Sequence, residues 1–308
     1  MKPNVIYVFL SFLLFSCVKE IDFKVNSVPE KLVVNSILKA YQPVTVNVSA
    51  LQSIFDSTFL FINNATVVLT EEGGESDTLQ YISGGDYRSY IYPKPGFVYH
   101  LVVNAPGYPT ASATDTVPNK TEIKNATLKE SKEVDEYGDP VEEYTITFEK
   151  QSSKINYYEL FFVSQNKSDS LFAIYYVFNA VSIDPLILSS GTNDYNHKTF
   201  LFNDVDLPHG EYTIKMKMNC WLTPGGNFPE PVITLKDNAS AVVLRTVSRA
   251  YYDYRNSWET HKHFKNDSTK IEDFIYVPLI GEPQEMYTNI ENGLGVFVSF
   301  SQDYFLLK

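Results

Sequence analysis

Alternation of apolar and polar residues, repeated along much of the chain, is the feature that most limits its fold. It is clearest at residues 44–49, 144–148 and 211–219. Successive side chains of a strand point to opposite faces, so each run places its apolar residues on one face, as a half-buried antiparallel strand requires. Glycine and proline pairs at 84–85, 106–107 and elsewhere separate the runs as turns. The sequence therefore predicts a mainly all-β protein.

The composition argues against a nucleic-acid-binding protein and against a disordered one. The 308 residues include 25 lysines and arginines against 37 acidic residues, a net charge of −12. Nucleic-acid binding needs clustered basic residues, and the sequence shows no such cluster. A hydrophobic content of 44% excludes disorder throughout the chain.

The first residues predict a lipoprotein signal peptide over residues 1–16. Lys2 precedes an apolar run at 5–15 that only Ser11 interrupts, which is too short for a bilayer span of about 20 residues. Ser16 and Cys17 resemble a bacterial lipobox, in which the cysteine receives diacylglycerol and palmitate. We therefore expect lipidation at Cys17 and a lipidated tether over residues 17–27. The alternative is an ordinary signal peptide that happens to precede a cysteine.

The residues after Cys17 indicate a location. Aspartate, which typically retains lipoproteins at an inner membrane, does not follow the cysteine directly. Lys19, Glu20 and Asp22 resemble the acidic export tag of surface lipoproteins in Bacteroidota. We expect a lipid-anchored protein of the outer membrane, exposed at the cell surface. Cys220 is the only other cysteine, so no intrachain disulfide is expected, and its place beside Trp221 favours a small buried hydrophobe.

Two domains are predicted after the tether. Residues 28–120 have the size and strand spacing of an immunoglobulin-like or transthyretin-like β-sandwich, which we expect to be separable. Phe97, Tyr99, Leu101 and Val103 are expected to share one buried strand face in it. Residues 121–308 form a larger β-rich domain with one or two short helices. The acidic stretch at 127–143 is interpreted as a solvated hairpin tip, because Asp135, Gly138 and Asp139 lack the ligand spacing of an EF-hand calcium loop.

One helix is predicted from its cap and period. Ser248 is a good N-cap, and Tyr251, Tyr254 and Trp258 recur at helical spacing as a core-facing stripe. His261 and His263 are the only close histidine pair, and on a helix they point about 200° apart, which disfavours a shared metal.

Enzyme signatures are missing from the sequence. It contains no nucleophile elbow, zinc-protease helix, Walker loop or dinucleotide fingerprint. We therefore predict no catalytic residues, no cofactor and no metal site. Four tyrosines at 81, 87, 90 and 92 suit sugar stacking or a partner protein, although cross-strand pairing is the preferred interpretation.

The C-terminal segment is interpreted as structural. Asn292 and Gly293 predict a type I′ hairpin turn. Gly295 suits a bulge or a close backbone approach. Val296, Val298 and Phe300 then alternate toward the core in the last long strand. In the competing hypothesis, Asn289, Glu291 and Asn292 form a ligand-contacting loop.

Several segments together resemble a Bacteroidota outer-membrane lipoprotein family known as domain of unknown function 4249. They are the lipobox and residues 31–35, 65–69, 85–88, 97–103, 105–108, 248–252 and 287–297. The resemblance implies no catalytic residues. It implies a layout similar to accessory lipoproteins beside TonB-dependent outer-membrane transporters.

Three hypotheses for the function follow. The first is a non-enzymatic surface lipoprotein that assists a TonB-dependent transporter by binding ligand or capping its barrel. The second is a free-standing adhesin or glycan-binding module, and the third is a hydrolase with an unrecognised site.

Overall fold

The computed structural model describes residues 30–53, 58, 60–150, 154–165, 172–189, 199–207, 209–224, 240–266 and 285–307. Secondary structure in these ranges is mainly β, which confirms the predicted fold class. The strands before residue 120 are β1 (Leu32–Lys39), β2 (Thr45–Ala50), β3 (Thr66–Glu71), β4 (Ser76–Thr78), β5 (Gln80–Ser83), β6 (Asp86–Arg88), β7 (Val98–Asn104) and β8 (Ala111–Thr116). Those after it are β9 (Ile123–Val134), β10 (Pro140–Lys150), β11 (Tyr157–Gln165), β12 (Phe172–Ser182), β13 (Phe200–Asn203), β14 (Gly210–Pro224), β15 (Ser240–Val247) and β16 (Gly293–Leu307). The helices are α1 (Pro185–Leu188) and α2 (Arg249–Asn266).

The strands form two sheets of very different size. The larger has the order β5-β6-β2-β1-β16-β15-β11-β12-β14-β10-β9, with β13 paired to β11, and the smaller has the order β4-β3-β7-β8. Strand β1 pairs in parallel with β16, from Leu32 opposite Gly293 to Lys39 opposite Phe300. The other pairings described are antiparallel. The first and last strands are therefore neighbours.

The N-terminal strands of both sheets share one hydrophobic core. Val44, Val46 and Val48 of the β2 region meet residues of the smaller sheet such as Leu69 and Leu101, all fully buried. Burial of each such side chain stabilises the fold by about 1.5–3 kcal/mol. The core also includes Ile290 and Phe297 from the end of the chain. The predicted domain boundary near residue 120 stays a prediction, as does the immunoglobulin-like topology.

A second core lies within the remaining part of the larger sheet. Its side chains come from two groups of strands, β9, β10 and β14 in one group and β11, β13 and β15 in the other. Because β12 lies between these groups in the strand order, the sheet curves to bring their side chains together. The rings of Phe148, Tyr158 and Phe202 pack at its centre, with neighbouring centroids 5.1–6.2 Å apart. A third cluster joins α2 to β13, β15 and β16.

The predicted strand faces agree with the observed burial in most positions. Tyr99, Leu101 and Val103 on β7 are buried as expected, but Phe97 is exposed. The prediction for Phe97 is wrong because β7 begins one residue later, at Val98, and Phe97 belongs to the preceding turn.

The acidic stretch forms the β9–β10 hairpin, as predicted. The backbone N–H of Asp135 donates to the Asp139 carbonyl at 2.9 Å, and its carboxylate accepts the N–H groups of Tyr137 and Asp139 at 2.9 Å each. Asp135 therefore acts as a turn residue, whose buried carboxylate holds the hairpin tip together.

The turn predicted at Asn292 and Gly293 is wrong. Asn292 has a φ of 56°, whereas Gly293 lacks the positive φ that the second central residue of a type I′ turn needs. Gly293 instead begins β16, and a side chain there would meet the Leu32 carbonyl oxygen at 3.0 Å and the Ile290 side chain at 2.8 Å. Crowding, rather than backbone strain, therefore explains the glycine.

The close backbone approach predicted at Gly295 is confirmed. Its φ is 99°, and a Cβ atom there would collide with the Val34 carbonyl oxygen of the neighbouring strand β1. Val296, Val298 and Phe300 are buried as predicted. The helices in the described part of the chain include none with the length and hydropathy needed to span a membrane.

Candidate functional site

Three exposed tyrosines lie together near the end of β1. In the segment after β6, Tyr90 and Tyr92 are exposed while Ile91 and Pro93 are buried. Tyr90 lies at a bend and Tyr92 follows two residues later, so the two exposed tyrosines are near neighbours on either side of the buried Ile91. The Tyr41 N–H donates to the Pro93 carbonyl at 2.8 Å, which brings Tyr41 beside them. The exposed fractions of Tyr41, Tyr90 and Tyr92 are 69%, 67% and 53%, and we call these three residues the aromatic surface.

Hydrogen bonds fix the segment that carries two of these tyrosines. The Tyr90 N–H donates to the Asp77 carboxylate at 2.8 Å, and the Lys94 N–H donates to the Tyr99 hydroxyl oxygen at 2.9 Å. Burial and the nearby Glu71 raise the pKa of Tyr99 to about 12, so its hydroxyl keeps its proton and donates to Glu71 at 2.8 Å. The segment is therefore anchored at both ends, and its exposed rings are presented from a rigid support.

Tyr41 has an unusual backbone conformation for a large residue. Its φ is 62°, in the left-handed region that costs a non-glycine residue on the order of 1–3 kcal/mol. The Gln42 N–H donates to the Lys39 carbonyl at 3.1 Å and closes this turn. The Tyr41 ring is largely exposed, so burial of the ring does not offset this cost.

A second group of polar residues is buried in the larger sheet. Glu159, Arg245 and Gln302 lie opposite one another on three neighbouring strands. The Arg245 guanidinium donates to Glu159 at 2.9 Å and to Gln302 at 3.3 Å. It also lies between the rings of Phe161 and Phe300, at 4.8 and 4.3 Å from their centroids, which favours its charge through cation–π attraction.

One face of helix α2 lies over these strand residues. It contributes Tyr251, Arg255 and Glu259, which are spaced four residues apart. The Tyr251 hydroxyl donates to Glu159 at 2.8 Å, and the Arg255 Nε atom lies 3.4 Å from the other carboxylate oxygen of Glu159. Arg255 also pairs with Glu259 at 3.3 Å. We call Glu159, Arg245, Tyr251, Arg255 and Glu259 the buried ion network.

The electrostatics of this network favour a structural role. Burial alone would raise the pKa of Glu159, but the charges of Arg255 and Arg245 outweigh it and hold that pKa below its usual range. Burial also raises the pKa of the Tyr251 hydroxyl. Glu159 therefore stays ionised and Tyr251 stays protonated, whereas a general acid or base needs a pKa near the working pH. The network fastens α2 to the sheet.

Asp115 is a buried acid of a different kind. It lies on β8, close to Ser299 of β16 and to Ser248 at the start of α2. Burial raises the pKa of its carboxyl to about 6, and the two serine hydroxyls and the Thr116 N–H offset only part of this rise. Within the described residues, its Oδ2 atom has no hydrogen-bond partner.

Some predicted positions lie outside the description. Cys17 precedes the described residues, so its lipidation stays a prediction. Cys220 and Trp221 lie in strand β14. The predicted burial of Cys220 stays a prediction, because the structure does not describe either side chain. His261 and His263 both lie on α2, as expected. A search of the described side chains finds no group of histidine, cysteine, aspartate or glutamate able to hold a metal ion.

The predicted helix is confirmed, but its buried face differs. The Ser248 hydroxyl oxygen accepts the Tyr251 N–H at 3.2 Å, as an N-cap does. Tyr251 is buried and Tyr254 is partly buried, whereas Trp258 is exposed. The prediction that Trp258 faces the core is wrong, because Glu259 takes the buried position beside it.

The four-tyrosine pattern divides into two roles. Tyr81 and Tyr87 form a cross-strand pair with ring centroids 5.4 Å apart, and the Tyr87 hydroxyl donates to the Ile62 carbonyl at 2.9 Å. Their structural interpretation is confirmed. Tyr90 and Tyr92 pair with no ring across strands among the described aromatic contacts and belong to the aromatic surface.

The residues of the competing C-terminal loop hypothesis are engaged within the fold. The Asn289 side chain donates to the Phe297 carbonyl at 2.7 Å and accepts the Phe297 N–H at 2.9 Å. The Glu291 carboxylate accepts a hydrogen bond from the Ser112 hydroxyl at 3.0 Å, and the Asn292 side-chain amide donates to the Thr110 carbonyl at 3.3 Å. These contacts favour the structural interpretation.

Sequence reasoning missed both Glu159 and Arg245. Each stands within an apolar strand run, at 157–163 and 241–247. A charge inside such a run is itself a signal, since buried charges are paired.

The family described as Domain of unknown function (DUF4249) matches residues 18–304 of the chain. The match covers nearly everything after Cys17, including both helices and every described strand except the last three residues of β16. Among curated proteins, none matches the chain.

Proposed function

Given that the chain belongs to the DUF4249 family, we propose that it is a non-enzymatic lipoprotein of the outer membrane, exposed at the cell surface. In this proposal Cys17 carries the lipid anchor. The aromatic surface binds a ligand or a TonB-dependent transporter that the protein assists.

The aromatic surface is the observation that carries the proposal. Tyrosine combines a large apolar ring with a polar hydroxyl, and it loses little conformational entropy on binding, so it is enriched in binding surfaces. Tyr90 and Tyr92 are presented from a segment that is already anchored, and Tyr41 is held outward by its strained turn. Such preorganisation lowers the entropic cost of binding.

A glycan-binding module remains the second candidate, because exposed tyrosine faces also suit stacking on sugar rings. The hydrolase alternative draws less support. Both acids with a shifted pKa in the described part of the chain lie inside the fold: Glu159 is buried beneath α2 and paired with two arginines, and Asp115 is buried on β8.

Purification from outer membranes of the native bacterium tests the proposal. We expect a β-barrel transporter to co-purify with the wild-type protein. The triple variant Tyr41→Ala/Tyr90→Ala/Tyr92→Ala should lose it while keeping its melting temperature. Tyr137→Ala is the matched control, since Tyr137 is 70% exposed at the β9–β10 hairpin tip.

Each other outcome has a definite meaning. Retention of the barrel by the triple variant would show that the aromatic surface is not the contact. If no barrel accompanies the wild-type protein, the transporter role fails, and binding of the same three proteins to a glycan array decides the second candidate. The Cys17→Ser variant tests the anchor and should appear as an unprocessed precursor or a soluble periplasmic protein, absent from the outer membrane.

A further inference from the structure

We propose that the core of the N-terminal strands carries, at the end where β1 begins, a surface that lies against the lipid bilayer. This inference rests on the proposed lipid anchor at Cys17. The surface consists of Leu60, Phe61 and Ile82, whose exposed fractions are 50%, 46% and 51%. We call these residues the apolar patch.

The backbone brings the patch together. The Phe61 ring lies over Gly85, where an added Cβ would meet it at 3.1 Å, and Gly85 belongs to the turn that follows Ile82. The segments that carry the patch, residues 60–65 and 81–85, contain no charged residue. Placing them at a bilayer surface therefore requires no dehydration of a charge belonging to these segments.

The chain reaches β1 beside this patch. The Leu51 N–H donates to the Lys31 carbonyl at 2.9 Å, and the Ala50 N–H donates to the Leu60 carbonyl at 2.9 Å. Lys31 and Leu60 thus lie on either side of the end of β2, about two strand spacings or 10 Å apart. Twelve residues, 18–29, separate Cys17 from the first described residue, and they reach at most about 40 Å. The anchor therefore approaches the body at the end that bears the apolar patch.

Tyr41 of the aromatic surface lies at the other end of β1. It follows Lys39, the last residue of β1, and the eight residues of the strand span about 26 Å. Tyr90 lies nearer to the patch, because its hydroxyl donates to the Gln80 side chain at 3.3 Å, two residues before Ile82. With the apolar patch on the bilayer, Tyr41 is therefore the tyrosine directed farthest from it. A bilayer is favoured over a second copy of the chain as occupant because the proposed tether joins the fold at this end and keeps the patch within about 40 Å of the membrane.

Photocrosslinking of the full-length lipidated protein tests the inference. We would replace Phe61, and in a second variant Ile82, by benzoylphenylalanine and reconstitute each in vesicles of phosphatidylethanolamine and phosphatidylglycerol. Matched controls carry the same residue at Tyr92 or at Tyr137. After illumination, we expect lipid adducts from positions 61 and 82 at a yield at least tenfold above the controls.

The readouts separate the two proposals. Mass spectrometry of the N-terminal peptide reports lipid on Cys17. A lipidated protein without adducts at 61 and 82, or with equal yields at all four positions, overturns this inference and leaves the anchor intact. Crosslinked dimers in place of lipid adducts also overturn it. An N-terminus without lipid overturns the anchor and this inference together.

Discussion

Replacing the buried acid Asp115 by asparagine should stabilise the protein at neutral pH. Burial raises the pKa of the carboxyl to about 6, against about 4 in an unfolded chain. Two pKa units correspond to about 3 kcal/mol of unfolding free energy. Because the folded acid is the weaker one, the folded state binds more protons between pH 4 and 6. The wild-type stability therefore falls as the pH rises through this window and stays lower above it.

Asparagine has nearly the same shape and no charge to lose. The advantage of Asp115→Asn should therefore be near zero at pH 4, grow up to pH 6 and then level off. For a chain of this size, about 3 kcal/mol corresponds to a rise in melting temperature of about 6 °C. Thermal unfolding from pH 4 to pH 8 measures it, with Asp139→Asn at the exposed hairpin as control. An Asp115→Asn effect that does not change with pH, or lower stability at pH 7.5, would refute the reasoning.

Three further changes test the interior. Glu159→Gln should lower the unfolding free energy in urea by about 3 kcal/mol, because the buried Arg245 loses its counter-charge and Arg255 keeps only Glu259; a loss below about 1 kcal/mol contradicts the ion network. Gly295→Ala should lower the melting temperature more than Gly107→Ala, because both residues have positive φ but only the side chain at 295 meets neighbouring atoms. Equal losses of melting temperature would contradict the steric collision at position 295. Glu291→Ala should leave the melting temperature and ligand binding nearly unchanged, since its one side-chain hydrogen bond is exposed; lost binding at unchanged stability would restore the loop hypothesis.

The strands were predictable because their information is local. The valines at 44, 46 and 48 alternate with polar residues, and a strand of period two is the structure that buries one set while leaving the other accessible. The cap of α2 is equally local, since Ser248 needs only the next turn as its partner. Such features depend on neighbours within a few residues.

Pairing between distant segments was not predictable. The parallel pairing of β1 with β16 joins residues more than 250 positions apart, and neither segment carries a local sequence signal that identifies its partner. The same holds for Glu159 and Arg245, because a charge in an apolar run predicts a partner but only the strand order identifies it. The burial of Glu259 in place of Trp258 follows from that network and not from the helix period.

The pairing of β1 with β16 also bears on how the molecule is used. Strand β1 links the end where the described part of the fold begins to the turn that holds Tyr41, so in the proposed arrangement a force between the anchor and a partner bound at Tyr41 would pass along it. A short edge strand would separate readily under such a load. β1 instead has β2 on one side and β16 on the other, and β16 continues into the sheet beneath α2. The central position of β1 therefore distributes a pull on the aromatic surface over the whole sheet, which suits a tethered protein that binds at its far end.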